Sequence, residues 1–151
     1  MRKFLAMILL FTISGCASIN IPNYIQDKFP YKQTYYAPFS TVHENAVKTL
    51  EDLGWTIEKE SDPALFERAR DIDNNGREQT LVFTEIRQFS FFIGSRYTRL
   101  NLYLRGTADQ ATEVEIRYLG VTSMVFKNFY SYKNDSAVDR IFKRMEEGLH
   151  L

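Results

Sequence analysis

An α+β fold of two layers, a curved antiparallel sheet of four to five strands packed against two helices, is predicted by three patterns. Residues 40–53 and 135–149 each carry apolar side chains at helical spacing. Residues 96–105 and 112–118 alternate apolar and polar side chains on either side of a Gly-Thr-Ala-Asp-Gln turn. The order strand, helix, strand, antiparallel strands, helix leaves one half-buried sheet face for the two helices to cover.

Taken in order, residues 31–36 are rich in tyrosine and lack a helical period, which predicts a short strand stopped by Pro38. In the first helix Val42, Ala46, Leu50 and Leu53 form one stripe, with Phe39 and Val47 at its margin. Ser40 is its expected N-cap, with Thr41 and Glu44 spaced as an alternative capping box. Gly54 stands where a left-handed C-cap is needed. Residues 55–59 alternate, Trp55 and Ile57 inward, as a strand does. Asp62-Pro63 is an N-cap followed by proline at the first helical position, opening one or two turns over 64–69.

Residues 79–89 are strand-like, and 89–94 form an apolar run ending in glycine. Leu100, Leu102 and Leu104 share one strand face, opposite Arg99, Asn101, Tyr103 and Arg105. Val114, Ile116 and Tyr118 likewise oppose Glu113, Glu115 and Arg117. The arginine and glutamate faces read as a solvated ladder that fixes register more than stability. Residues 119–125 continue or bend this strand at Gly120. Asp135 or Ser136 is the expected cap of the last helix, whose stripe is Val138, Ile141, Phe142, Met145 and Leu149.

The N-terminus carries a different signal. Arg2 and Lys3 precede a ten-residue apolar run over 4–13. A helix of that length rises about 15 Å, half of a bilayer core, and fits the core of a signal peptide. Ile13-Ser14-Gly15-Cys16 then resembles the bacterial lipobox, in which small residues precede a cysteine that is lipidated and becomes the new first residue. Cys16 is the only cysteine in the chain. The resemblance implies removal of 1–15 as a signal peptide, a diacylglyceryl thioether and an acyl chain such as palmitate on Cys16, and a membrane anchor. Ala17 in place of the aspartate that marks inner-membrane retention implies the outer membrane, with the domain facing the periplasm. Residues 16–30 are then lipidated N-terminus and spacer, and 31–151 one α+β domain.

Arg2 and Lys3 account for two of the 19 basic residues and none of the 19 acidic ones, so the rest carries a formal charge of −2. No basic stripe of a nucleic-acid binder is present. Nor is there a Gly-rich phosphate loop, a paired-histidine motif or a nucleophile elbow, and an enzyme is not expected. His43 reads as a helix surface residue. Asp71, Asp73 and Asn75 with Gly76 match the first half of a calcium loop, but its twelfth position is Val82. They read as a turn before a strand and are the only metal candidates. No cofactor beyond the lipid on Cys16 is expected.

Residues 39–57, with Phe39, Val42, Ala46, Leu50 and Leu53 leading into Gly54-Trp55 and Ile57, resemble the helix-to-strand passage of helix-grip domains in outer-membrane lipoproteins. The family is BamC, the NlpB-type lipoproteins of β-barrel assembly. The resemblance implies one grip domain and a role beside assembling envelope proteins. The chain departs from the family pattern in its single domain, its short N-terminal arm and its longer insertion over 63–75.

Aromatic clusters carry the remaining functional signal. Phe89, Phe91, Phe92 and Ile93 cannot all face inward from one strand, nor can Phe126, Phe129, Tyr130 and Tyr132. Either helices cover both faces there, or some rings are exposed for a partner. Two functions stand open. One is a non-catalytic accessory lipoprotein that binds an envelope protein through Phe89, Phe91, Phe92 and Ile93 or through Phe129, Tyr130 and Tyr132. The other is a carrier or sensor of an apolar small ligand held between sheet and helices beside Leu100, Leu102, Val114 and Ile116.

Overall fold

The computed structural model describes residues 19–67, 76–108 and 110–150. Cys16, the leader and the candidates Asp71, Asp73 and Asn75 lie outside these residues. The chain forms β1 (Tyr31–Tyr35), α1 (Phe39–Asp52), β2 (Ile57–Ser61), a 3₁₀ turn (Pro63–Leu65), β3 (Gln79–Thr84), β4 (Arg87–Phe91), β5 (Gly94–Ala108), β6 (Ala111–Met124), β7 (Lys127–Ser131) and α2 (Asp135–Leu149). All strand pairs are antiparallel, in the order β1-β6-β5-β3-β2, with β4 added beside β5 and β7 beside β6. The α+β class with two helices is therefore as the sequence predicts, with seven strands rather than four to five.

The added strands have identifiable causes. The expected strand 79–89 breaks at Glu85-Ile86. Phe83 pairs with Asn101 but Arg87 pairs with Thr98, so four residues on one side match three on β5. The one-residue slip is a bulge-like irregularity that ends β3 and starts β4. At the other edge, a turn at Val125-Phe126 sends β7 back along β6.

The front face of the sheet carries the main core. Val82, Leu100, Leu102, Leu104, Val114, Ile116 and Tyr118 pack in one cluster with Val42, Ala46, Leu50, Val138, Ile141 and Met145 of the helices. The side chains expected to line a ligand space thus belong to the same packed cluster as the helix residues. Each fully buried leucine or isoleucine contributes about 1.5–3 kcal/mol.

The helix ends follow the sequence at one end and depart at the other. The α1 cap position is Pro38, with no side-chain cap, because the helix begins one residue before Ser40 with Phe39 stacked on His43. The α2 cap is Asn134, whose Oδ1 accepts the Ala137 N–H at 3.2 Å; Asp135 instead accepts the Tyr31 hydroxyl at 2.5 Å. Gly54, at φ +78°, closes α1 as expected. Its N–H reaches Glu51 O and the Trp55 N–H reaches Leu50 O, both at 2.8 Å, a Schellman motif. Trp55 therefore belongs to this motif, packing in the core with Leu50, and β2 starts only at Ile57. Gly54→Ala is expected to cost about 1–2 kcal/mol in a urea titration, the penalty of a Cβ in the left-handed region. A change below a few tenths would mean the cap relaxes freely.

The back face is not solvated. Arg99, Asn101, Tyr103, Glu115 and Arg117, expected outward, are all buried. The cover is residues 19–27 of the expected spacer, here called the strap, with Phe66 and Glu67 beside it. Ile25 is fully buried with Leu119 and Val121, with Ile19, Ile21 and Tyr97 packed around them. Tyr24 stacks on Phe66 at 5.1 Å and joins Leu81, Phe83 and Tyr103.

Buried charge at this depth needs hydrogen-bonded partners. The Ile25 N–H donates to Asn101 Oδ1 at 2.6 Å, and Asn101 Nδ2 donates to Asn23 O at 3.0 Å. Arg99 donates to Thr84 O, Pro22 O, Asn23 Oδ1 and Glu58 Oε2 at 2.5–3.2 Å. Arg117 donates from Nε and Nη2 to Glu115 Oε1 at 2.8 and 2.6 Å, and from Nη1 to the Tyr24 hydroxyl at 2.6 Å. It also meets Glu67 at 2.5 Å, while Lys32 meets Glu115 at 3.3 Å. Burial opposes the charge on Arg117, but Glu115 above all holds the guanidinium protonated, well above its ordinary range. Burial and the bond to Glu67 push the Tyr24 phenol up to about 12, so it stays neutral. Arg105–Glu113, at 3.2 Å and half-buried, forms a cross-strand pair of the kind the ladder predicts.

Candidate functional site

The longest strands, β5 and β6, pair without a register shift from Gly94–Met124 to Gly106–Thr112, and a bulge there leads to the Ala108–Ala111 turn. The helices pack over their middle. Beyond Leu100 the ladder runs on toward Gly94, flanked by β4 and β7, as a four-stranded extension. Register places the candidate residues on it.

One row across the four strands reads Phe89, Arg96, Thr122, Phe129. It shares the face of Leu100 and Leu102, but here the rings are open, Phe89 being 70% exposed. The next row outward reads Phe91, Gly94, Met124, Lys127. Phe91 is half-buried. Gly94 has no room for a side chain, since a Cβ would lie 2.1 Å from Ser123 O. The two strands thus approach closely at their end.

Beyond this row are two adjacent two-residue turns. Phe92-Ile93 joins β4 to β5, and Val125-Phe126 joins β6 to β7. Phe92 is 104% exposed, Phe126 96% and Val125 74%. Short hairpin turns favour Asn and Gly because the best-matched types need positive φ. Among the described residues the positive-φ positions are only Gly54, Gly76 and His150, so neither turn is of that kind. Four large apolar side chains therefore occupy turns that gain nothing locally from them. Ile93, Met124, Val125, Phe126, Lys127 and Phe129 line an open apolar cleft of about 330 Å³ between the turns.

The structure sets Phe89, Phe91 and Phe129 on the same front face, Phe89 and Phe129 on its two outer strands, and Phe92 and Ile93 at the tip. Tyr130 is separated from them. It pairs with Val121, whose side chain belongs to the back, and Tyr132 lies past the end of β7. Met124 and Val125 were not candidates in the sequence, and Phe126 was only a ring of unknown facing. Neither Val125 nor Phe126 is a turn former, and the nearest ones, Ser123 and Asn128, lie within β6 and β7, so no local signal marked this turn.

Elsewhere His43 pairs through Nε2 with Glu60 at 2.9 Å. Among the described residues no three of His, Cys, Asp and Glu lie together as metal ligands. Also among these, no helix is long and apolar enough to cross a membrane. No protein-family model and no curated protein matches the chain.

Proposed function

We propose that the chain is a non-catalytic lipoprotein of the outer membrane, held by acyl chains on Cys16 after loss of residues 1–15, with its α+β domain on the periplasmic side. It acts as an accessory binding module in envelope assembly. The helix-grip resemblance points to β-barrel assembly within that class. Its binding surface is the front of the sheet extension, with Phe89 and Phe129 open on it and Phe91 half-buried in the row beyond.

The observation that carries this reading is the sheet extension itself. A fold with its core complete at Leu100 gains no stability from exposed rings beyond it, and exposed apolar surface of this kind marks interaction sites. Arg96 in the same row, donating to the Tyr118 hydroxyl at 3.2 Å, adds a cation of the kind enriched in such surfaces.

The test is a photoreactive residue at position 89 in the lipidated protein, in cells. A discrete adduct with one envelope protein is expected, absent when the probe replaces Leu65, which is 75% exposed on the other side of the sheet. Equal labelling from both positions would overturn the reading.

A further inference from the structure

We infer that the tip formed by Phe92, Ile93, Val125 and Phe126 inserts into the interfacial layer of the same leaflet that holds the Cys16 lipid. This rests on the assignment of Cys16 as the lipid site. It adds that the domain stands on the membrane on a second foot, end-on, and does not swing freely on a tether.

The course of the strap carries the inference. Ile25 is bonded to Asn101, and Asn23 to both Asn101 and Arg99. Ile21 and Ile19 lie beside Tyr97 and Gln88. Each step toward the N-terminus is thus a step along β5 toward Gly94. Tyr97 is three residue steps from Gly94, about 10 Å of strand. Ile19 is likewise three steps from Cys16, and extended chain of that length spans about 10 Å. The anchor can therefore reach the level of the two turns and little beyond. A lipid on Cys16 sets the bilayer surface at that end of the sheet.

Charge agrees with this orientation. Residues 86–98 and 119–133 contain Arg87, Arg96, Lys127 and Lys133 and none of the 19 acidic residues. Lys133 pairs with Asp27, while Lys127 lies 5.2 Å over the Phe129 ring, next to the tip. Apolar side chains at the point with cations just behind is the arrangement that anionic phospholipid headgroups favour. The open rings of Phe89 and Phe129 would then stand just above the leaflet, facing whatever is embedded in it.

The test uses the full lipidated protein in vesicles of phosphatidylethanolamine and phosphatidylglycerol, some brominated in the acyl chain near the headgroup. A Phe126→Trp reporter is read over the background of buried Trp55. Its fluorescence is expected to be roughly halved by the brominated lipid, the mark of shallow interfacial depth. A Leu65→Trp reporter is expected to be unaffected. Intact mass of the same sample reports the lipid. Lipid present with position 126 no more quenched than position 65 overturns the tip while leaving the lipoprotein assignment intact. An unmodified Cys16 overturns both. Crosslinks in cells from position 126 to a protein, with no quenching in vesicles, would make the tip a protein-docking site and overturn its insertion in the leaflet.

Discussion

Arg117→Ala is expected to remove about 3–5 kcal/mol of stability, the cost of leaving a buried charge without its partner. Glu115 is 0% exposed, and without Arg117 it would lose the two guanidinium bonds to its Oε1 while keeping Lys32 at 3.3 Å. Domains have total stabilities of about 5–15 kcal/mol, so the variant sits near the folding threshold. The loss also reaches the strap, because Arg117 holds the Tyr24 hydroxyl and the Ile25 carbonyl. Urea denaturation of the soluble chain, made without residues 1–15 and with Cys16→Ala, measures it. The control is the double replacement Glu115→Leu with Arg117→Met. It removes both charges, and Glu67 and Lys32 can turn to water. It is expected to recover most of the loss, as apolar substitutes for buried ion pairs do. A single variant within 1 kcal/mol of its parent would mean that water reaches the back face.

Cys16→Ala is expected to shift the protein from the membrane pellet to the soluble fraction and to abolish incorporation of a clickable palmitate analogue. One acyl chain binds a bilayer marginally, whereas several on one residue make release negligible. The change is therefore close to all-or-none. The fold should survive it, since the strap is bonded to the sheet through Pro22, Asn23, Tyr24 and Ile25. A variant that still pellets with membranes, or a parent that takes up no label, would remove the anchor from the account.

How far the sequence could be read depends on where its contacts come from. The β5–β6 hairpin, both helix stripes and the Gly54 cap were legible because each is decided within one element or across one turn. The back face was not. Arg99, Asn101, Glu115 and Arg117 alternate with leucine, valine and isoleucine just as solvent-facing residues do. Their burial depends on Asn23, Tyr24 and Ile25, some 76–93 positions away, and no local pattern announces a contact at that distance. The strap itself, with Asn20, Pro22 and Asn23 between its isoleucines and Asp27 after them, reads as a linker. The candidate surface was half legible. Too many rings in one strand said that some must be exposed. Which ones followed only from the slip between β3 and β4 and from a turn built of valine and phenylalanine.

The strap also gives the domain a mechanical direction. A pull through the N-terminus along the long axis of the sheet strains the bonds at Asn101, Arg99 and Arg117 together, and they share the load. A pull away from the sheet lifts Ile19, then Ile21, then Asn23, one after another, as tape comes off a surface. The attachment is stiff against sliding and weak against lifting, so the domain carries a lateral load on its N-terminus far better than a perpendicular one.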